Sequence, residues 1–406
     1  MMQQLLNGLG GDARIQNVPS QSFGEFACYH INCRFSENIE DIGRVRWLKV
    51  FLLLRYCVAA IVCRWRFNVT TLVYVPAPPI RPALCRDWLV MLLCRCFFKR
   101  RIFYWHAAGL RDWLASQALP WERWLTHQLL GKPDLSVVLG ESGREDAAAL
   151  HSQQIAVVPN GIPDPCPEFT ESILPQRLAR GASRGHAGSP VPQSAAGLDA
   201  VPRKFCLFRV FFLGLCYSEK GIFDALEATA RINGRLAAAH SSLRVQLNVA
   251  GKFFLAVERK EFDLRIRQAD LRLNPDPGSS RSGGLDDEPA VWYHGFVAGD
   301  AKRRLFMECD CFCLPTYYSA ESFPLVLLEA MAYGMDIIAT PWRSIPELLP
   351  GEYPGIVEPR SPDQIAAALE FFSKNYLGGQ LRHRFEERYT DVRWIARMKE
   401  ALGSVN

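Results

Sequence analysis

Short apolar runs alternate with segments of helical spacing from Phe26 to Val158, and again from Phe205 to Thr340. This is the pattern of parallel strands wrapped by helices. In the first stretch, strands are predicted at Phe26–Ile31, Thr70–Val75, Arg101–Trp105, Asp134–Leu139 and Ile155–Val158, and helices at Trp121–Leu130, after Pro120, and Glu145–His151. In the second, strands are predicted at Phe205–Leu213, Arg244–Ala250, Val291–His294, Asp310–Pro315 and Asp336–Thr340. Helices are predicted there at Ile222–Ile232, Phe254–Ala269, Asp300–Glu308, after Pro324, and from Ser361-Pro362-Asp363, where Ser361 suits an N-cap. Between the two, Pro175–Lys204 holds four prolines, four glycines and no aromatic residue, and reads as a mobile linker or insertion. Leu273–Pro289, rich in Gly, Ser, Pro and Asp, reads as a surface loop. The expected organisation is a first Rossmann-like domain over 1–170, a linker over 171–204, a second Rossmann-like domain over 205–378, and a C-terminal helix over 379–406.

A chain of 406 residues is long enough for two such cores. Its 13 cysteines include no C-x-x-C pair. Cys94/Cys96 and Cys309/Cys311/Cys313 alternate in apolar stretches and read as buried thiols. With no secretory pattern at the N-terminus, a reducing cytoplasm is expected. Trp47–Cys63 is apolar, but Lys49 and Arg55 interrupt it, so it is not expected to span a bilayer. The net charge of +5 is modest, yet Arg44, Arg46, Lys49, Arg55, Arg64, Arg66, Lys99, Arg100 and Arg101 sit among apolar residues in the first third. They make either a solvated basic edge or an interfacial face against anionic lipid at the inner side of the membrane. No nucleic-acid partner is expected.

The chemistry concentrates in Thr316–Pro341, where a strand runs through a polar loop into a helix expected to start near Ser322. Ser322 is placed to cap it and Pro324 to sit in its first turn. The amides of Ser322, Phe323 and Leu325, with the positive helix end, then suit a diphosphate at the carboxyl edge of the sheet. Glu321 and Glu329 flank that site, and a carboxylate accepts from paired vicinal hydroxyls, so one can hold a ribose and the other a hexose. Gly214, at the end of a buried strand, leads to Lys220, which can meet phosphate charge. Gly251 and Gly295 follow two further strands and let backbone approach a ligand. In the first half, His106 follows a strand and precedes Ala107-Ala108-Gly109, at a carboxyl edge.

Glu321 and Glu329, followed by Ala330-Met331-Ala332 and Gly334, resemble the signature of the retaining glycosyltransferases of family 4, the glycosyl transferases group 1 of GT-B fold. The resemblance covers nearly the whole chain and is strongest over 205–350. It implies two Rossmann-like domains facing a cleft, with the C-terminal helix crossing back to the first. It assigns Glu329 to the ribose, Glu321 to the donor sugar near its 3- and 4-hydroxyls, Lys220 to the diphosphate, and His106 to the sugar. Val158-Pro159-Asn160-Gly161 resembles the turn that closes the first domain, read as a tight turn of positive φ. Tyr29 to Ser36 resembles exopolysaccharide-type members, in which Asn32 and Arg34 would meet the acceptor; Asp41 and Asp112 are candidates for a base. Two departures stand out: Leu215 occupies the place of the family's arginine five residues before the lysine, and the chain opens helix-like, at Met1 to Leu6, where the family has a strand and a glycine-rich turn.

The implied activity is transfer of a sugar, with retained configuration, from a UDP- or GDP-linked donor to a glycan or lipid-linked saccharide in polysaccharide biosynthesis. No cofactor beyond the nucleotide-sugar co-substrate is expected, and with no Asp-x-Asp motif between strand ends, no metal either. The alternatives are a catalytically silent subunit that binds nucleotide or glycan, which Leu215 favours, and a nucleotide-sugar 2-epimerase.

Overall fold

The computed structural model describes residues 27–31, 33, 47–185, 206–273 and 288–405. It divides into two compact units. One holds the chain up to Pro163 with Ser319–Phe323 and Tyr389–Asn406; the other holds Asp164–Tyr318 and Pro324–Arg388.

The first unit is built on four parallel strands, β1 (Thr71–Tyr74), β2 (Arg100–Tyr104), β3 (Leu135–Val138) and β4 (Gln154–Val157), in that spatial order. All four residues of β3 are buried, as a strand covered on both faces requires. Around the sheet lie α1 (Trp47–Arg66), α2 (Arg81–Cys94), α3 (Leu110–Ser116), α4 (Pro120–Leu130) and α5 (Arg144–Ala149). Leu84, Trp88, Phe103, Trp105, Trp113, Leu130 and Val138 form the core. The predicted start of α4 has a clear cause: Pro120 needs no amide partner in the first turn, and the Leu119 amide donates to Glu122 Oε2 at 2.8 Å. The strand predicted at Phe26–Ile31 is not formed, since 27–31 has no regular structure. Trp47–Cys63 lies within α1, and among the described residues no helix is long and apolar enough to cross a membrane. Of the pair Cys94/Cys96, Cys94 is buried but Cys96 is exposed, because Cys94 ends α2 and Cys96 lies in the short 3-10 helix after it, where residues two apart do not share a face.

The second unit carries β5 (Cys206–Leu213), β6 (Leu243–Ala250), β7 (Val291–Tyr293), β8 (Cys311–Leu314) and β9 (Asp336–Ala339), all parallel, in the order β7-β6-β5-β8-β9. Phe208, Phe211 and Phe212 of β5 are fully buried, and Cys309, Cys311 and Cys313 are buried as predicted. The expected linker is partly helical. A π-turn at Phe169–Ile173 leads into α6 (Leu174–Gly185), and Arg177, only 3% exposed, donates to the carbonyls of Phe306, Cys309 and Tyr333 at 2.8, 2.7 and 3.0 Å. Glycine and proline content hid a helix fixed by one buried guanidinium; 186–205 lies outside the described residues.

The remaining helices of this unit are α7 (Ile222–Ala238), α8 (Ala256–Gln268), α9 (Gly299–Glu308), α10 (Leu325–Ala332), α11 (Ile345–Leu348), α12 (Pro362–Lys374) and α13 (Gly378–Arg388). Ser361 takes the N-cap place of α12 without a side-chain cap bond. The single C-terminal helix expected over 379–406 is two helices, α13 and α14 (Asp391–Gly403), broken at Tyr389-Thr390. Only the second belongs to the first unit. There Trp394 is fully buried, and Ile162 and Asp391 exchange backbone bonds with Tyr389 and Ile162 at 3.0 and 2.9 Å. Gly161 therefore serves close approach rather than positive φ: a Cβ on it would lie 2.4 Å from the Thr390 carbonyl oxygen.

Candidate functional site

In the second sheet the chain starts at β5, builds outward through β6 and β7, then returns to the other side of β5 for β8 and β9. The crevice between β5 and β8, at their carboxyl ends, is the topological switch point where open α/β sheets bind ligands. Several residues singled out in the sequence meet along this edge. Gly214, Gly251 and Gly295 stand in a row at the ends of β5, β6 and β7: the Gly214 amide donates to Ala250 at 3.1 Å and the Gly251 amide to Gly295 at 2.7 Å. Gly251 has φ +147°, and a Cβ there would fall 1.8 Å from the Gly214 carbonyl oxygen. No other residue fits.

Lys220 ends a 3-10 turn at Ser218–Lys220. The turn is tied to the exit of β8, since the Glu219 carbonyl accepts from the Tyr317 amide at 2.8 Å and from Thr316 Oγ1 at 3.2 Å. The Lys220 ammonium lies 4.7 Å from the Tyr318 ring centroid, and Trp342 Nε1 donates to the Tyr318 carbonyl at 2.7 Å. A cation is thus held over an aromatic face at the switch point. Leu215 is 40% exposed nearby. Lys252, passed over in the sequence, follows Gly251, accepts the Cys216 amide at 2.9 Å on its carbonyl, and sets its ammonium 5.3 Å from the Phe296 centroid.

The helix after the loop begins at Leu325, not near Ser322. Pro324 takes the N-cap place in an extended conformation with no side-chain cap bond, and 321–323 before it have no regular structure. Of the three amides expected at the helix end, only that of Leu325 belongs to α10. Glu321, Ser322 and Phe323 group with the first unit, where the Phe323 ring meets Tyr389 edge-on at 6.4 Å. Glu329 lies on α10 in the second unit. Its Oε1 is 2.6 Å from Nζ of Lys302 on α9, while its Oε2 is buried with no hydrogen-bond partner among the described residues. Lys302 was missed because nothing in a helix of Lys302-Arg303-Arg304 sequence marks which cation turns inward.

His106 sits after β2 and lines a cavity of about 870 Å³ in the first unit, with Tyr104, Ala107, Leu53, Met398 and Leu402. Its ring meets Tyr104 edge-on at 4.3 Å, and burial draws its pKa down to about 4, so it is neutral at ordinary pH. The loop after it is fixed by Asp146, also unforeseen, which accepts from the amides of Gly109 and Arg111 at 2.8 and 2.7 Å. Asp112 is exposed on α3. Asn32, Arg34 and Asp41 lie outside the described residues.

The comparisons agree with this picture. Residues 207–391 match the family model of glycosyl transferases group 1. An uncharacterised glycosyltransferase of Methanocaldococcus jannaschii is 38% identical over 81 residues, 20% of this chain and 20% of that protein. The amylovoran biosynthesis glycosyltransferase AmsK of Erwinia amylovora is 33% identical over 88 residues, 21% of this chain and 22% of that protein. These matches span only about a fifth of the curated relatives. Among solved structures, sucrose-phosphate synthase from Thermosynechococcus elongatus superposes with a TM-score of 0.62 at 14% identity, covering 100% of this chain and 92% of that one. Anabaena HepE in complex with UDP and glucose superposes with a TM-score of 0.57 at 14% identity, over 88% and 83%. The fold is thus GT-B.

Proposed function

We propose, from the premise that residues 207–391 are a glycosyl transferases group 1 domain, that this protein moves a sugar from a nucleoside diphosphate onto a glycan or lipid-linked saccharide. The observation that carries the reading is the state of Glu329 beside the switch point. One carboxylate oxygen is engaged by Lys302 and the other is buried without a partner. Native interiors rarely leave such an acceptor unmade, and a ribose hydroxyl supplies the donor it lacks. Lys220 and the amide end of α10 offer positive charge to the diphosphate. In the first unit, His106 and Glu321 are the groups proposed to contact the sugar.

The reaction breaks the bond between the anomeric carbon and the diphosphate oxygen and forms one to the acceptor oxygen on the same face. The acceptor proton passes to the departing phosphate. Stabilising that leaving charge is the main task of Lys220 and the helix amides. UDP is the first donor nucleotide to test, since HepE is seen with UDP, and GDP the second. The acceptor role in polysaccharide synthesis rests on the likeness to AmsK.

The test is thermal stabilisation of the full chain by UDP and GDP, wild type against Glu329→Ala, followed by release of nucleotide from UDP- and GDP-sugars. A shift that the substitution abolishes supports the donor site. Binding without turnover of any donor would instead favour a nucleotide-binding subunit, the outcome that Leu215 points toward.

A further inference from the structure

The two faces of α1 differ in a way that the core does not explain. Leu53, Cys57 and Ala60 are buried and pack with Cys94 of α2. On the opposite side Phe51, Leu54, Val58, Val62 and Trp65 are 66%, 42%, 58%, 51% and 70% exposed. Their spacing of three, four, four and three residues keeps them on one stripe of the helix, about 21 Å long at 1.5 Å per residue. Single exposed apolar residues need no explanation, but a continuous row of five does.

The charges along the same helix indicate what covers it. Lys49, Arg55, Arg64 and Arg66 are all basic, and the segment Trp47–Arg66 contains no aspartate or glutamate. At its C-terminal end the Arg64 guanidinium lies 5.4 Å from the Trp65 ring and its Nε donates to the Phe97 carbonyl at 2.8 Å. Arg64, four residues after buried Ala60, is thus turned toward the packed side, which leaves Arg55 and Arg66 as the cations that border the stripe. Not every nearby cation is available: Arg101 is turned onto the carbonyls of Gly131 and Lys132 at 3.3 and 2.7 Å.

We infer that this stripe is a docking surface for an anionic lipid bilayer, with α1 lying in the plane of the interface. Apolar side chains enter the acyl boundary while arginines flank them at headgroup level, and the indole sits where amphipathic rings favour the interface. Pairing with a second copy would set Arg55 and Arg66, which border the stripe, against their copies with no acidic residue of the helix to neutralise them. An acidic membrane supplies that charge. The inference does not depend on the proposed nucleotide contacts of Lys220 and Glu329, which lie in the other unit.

The experiment is co-sedimentation of the full chain with vesicles of phosphatidylcholine alone and of phosphatidylcholine with phosphatidylglycerol. Wild type partitions to the acidic vesicles, and added salt weakens it. The double variant Val58→Glu/Val62→Glu loses about tenfold or more of that partitioning, as two charges enter the apolar stripe. Both positions are exposed, so its unfolding temperature stays near that of wild type; Arg55→Glu on its own gives a smaller loss as a second check. Equal partitioning to both vesicles, or binding unchanged in the double variant, overturns the inference. So does a dimer, seen by analytical ultracentrifugation, that the double variant dissolves.

Discussion

Gly221 stands against Pro315 so closely that a Cβ on the glycine would lie 2.3 Å from the proline carbonyl oxygen. With φ +79°, Gly221 also occupies the left-handed region that side chains disfavour. One position thus locks the turn bearing Lys220 to the exit of β8. Gly221→Ala is expected to cost roughly 1–3 kcal/mol, seen as a lower denaturant midpoint, and to weaken nucleotide binding by moving Lys220. Unchanged stability and binding would mean that the two loops are not coupled.

Lys302 holds only one oxygen of Glu329. An arginine in its place would take both oxygens in a bidentate pair and leave none for a ribose. Lys302→Arg is therefore expected to weaken UDP binding by about tenfold while leaving 2′-deoxy-UDP little changed. If arginine supports full discrimination between the two nucleotides, Lys302 merely neutralises a charge.

Arg177 tests whether the region after 171 is linker or framework. Arg177→Met removes donors from three carbonyls in the interior, and a loss of about 3 kcal/mol or more is expected in equilibrium unfolding. A side chain in a mobile linker would contribute less than about 0.5 kcal/mol.

Asp336, buried at the start of β9, has its pKa pushed up to about 7 by desolvation, although its Oδ1 accepts the Leu377 amide at 2.8 Å. Its native form keeps a proton that the unfolded chain releases near the ordinary carboxyl value of 3.8, so stability falls as pH rises between those values. Asp336→Asn keeps the acceptor and removes the penalty. Urea unfolding should show the variant gaining roughly 1–4 kcal/mol at pH 8, with the gain fading toward pH 4. A gain that is the same at both pH values would show that ionisation is not the cause.

For His106 the sign is opposite. A histidine drawn down to about 4 stays neutral when the unfolded chain takes up a proton near 6.5, so its contribution to stability is lost as pH falls from 6.5 toward 4. Its Cε1–H resonance, assigned by comparison with His106→Gln, should keep the neutral shift down to pH 5. Titration near 6.5 would mean that the ring is hydrated.

Much of the fold was legible because strand and helix periods are local. The strands of the second unit fall within about two residues of their predicted bounds, and the buried cysteines of β8 belong to a continuous apolar run covered on both faces. The row of Gly214, Gly251 and Gly295 was legible for the same reason, since backbone ends of buried strands announce themselves. What failed was local composition without a partner in view. Pro175–Lys204 looked unstructured because the carbonyls that Arg177 serves are more than a hundred residues away. Ser322 looked like a cap because nothing nearby showed that the helix starts only after Pro324.

The sequence by itself determined two α/β units, the residue types of the candidate site and the family whose model residues 207–391 match. Periodicity, strand ends and motif spacing are properties of neighbours along the chain. The tertiary structure alone decided that Lys302 engages one oxygen of Glu329, that Gly161 seats the C-terminal helix, and that one side of α1 faces solvent. Those depend on which surfaces meet, and burial, desolvation and hydrogen-bond completion are settled only when distant segments pack.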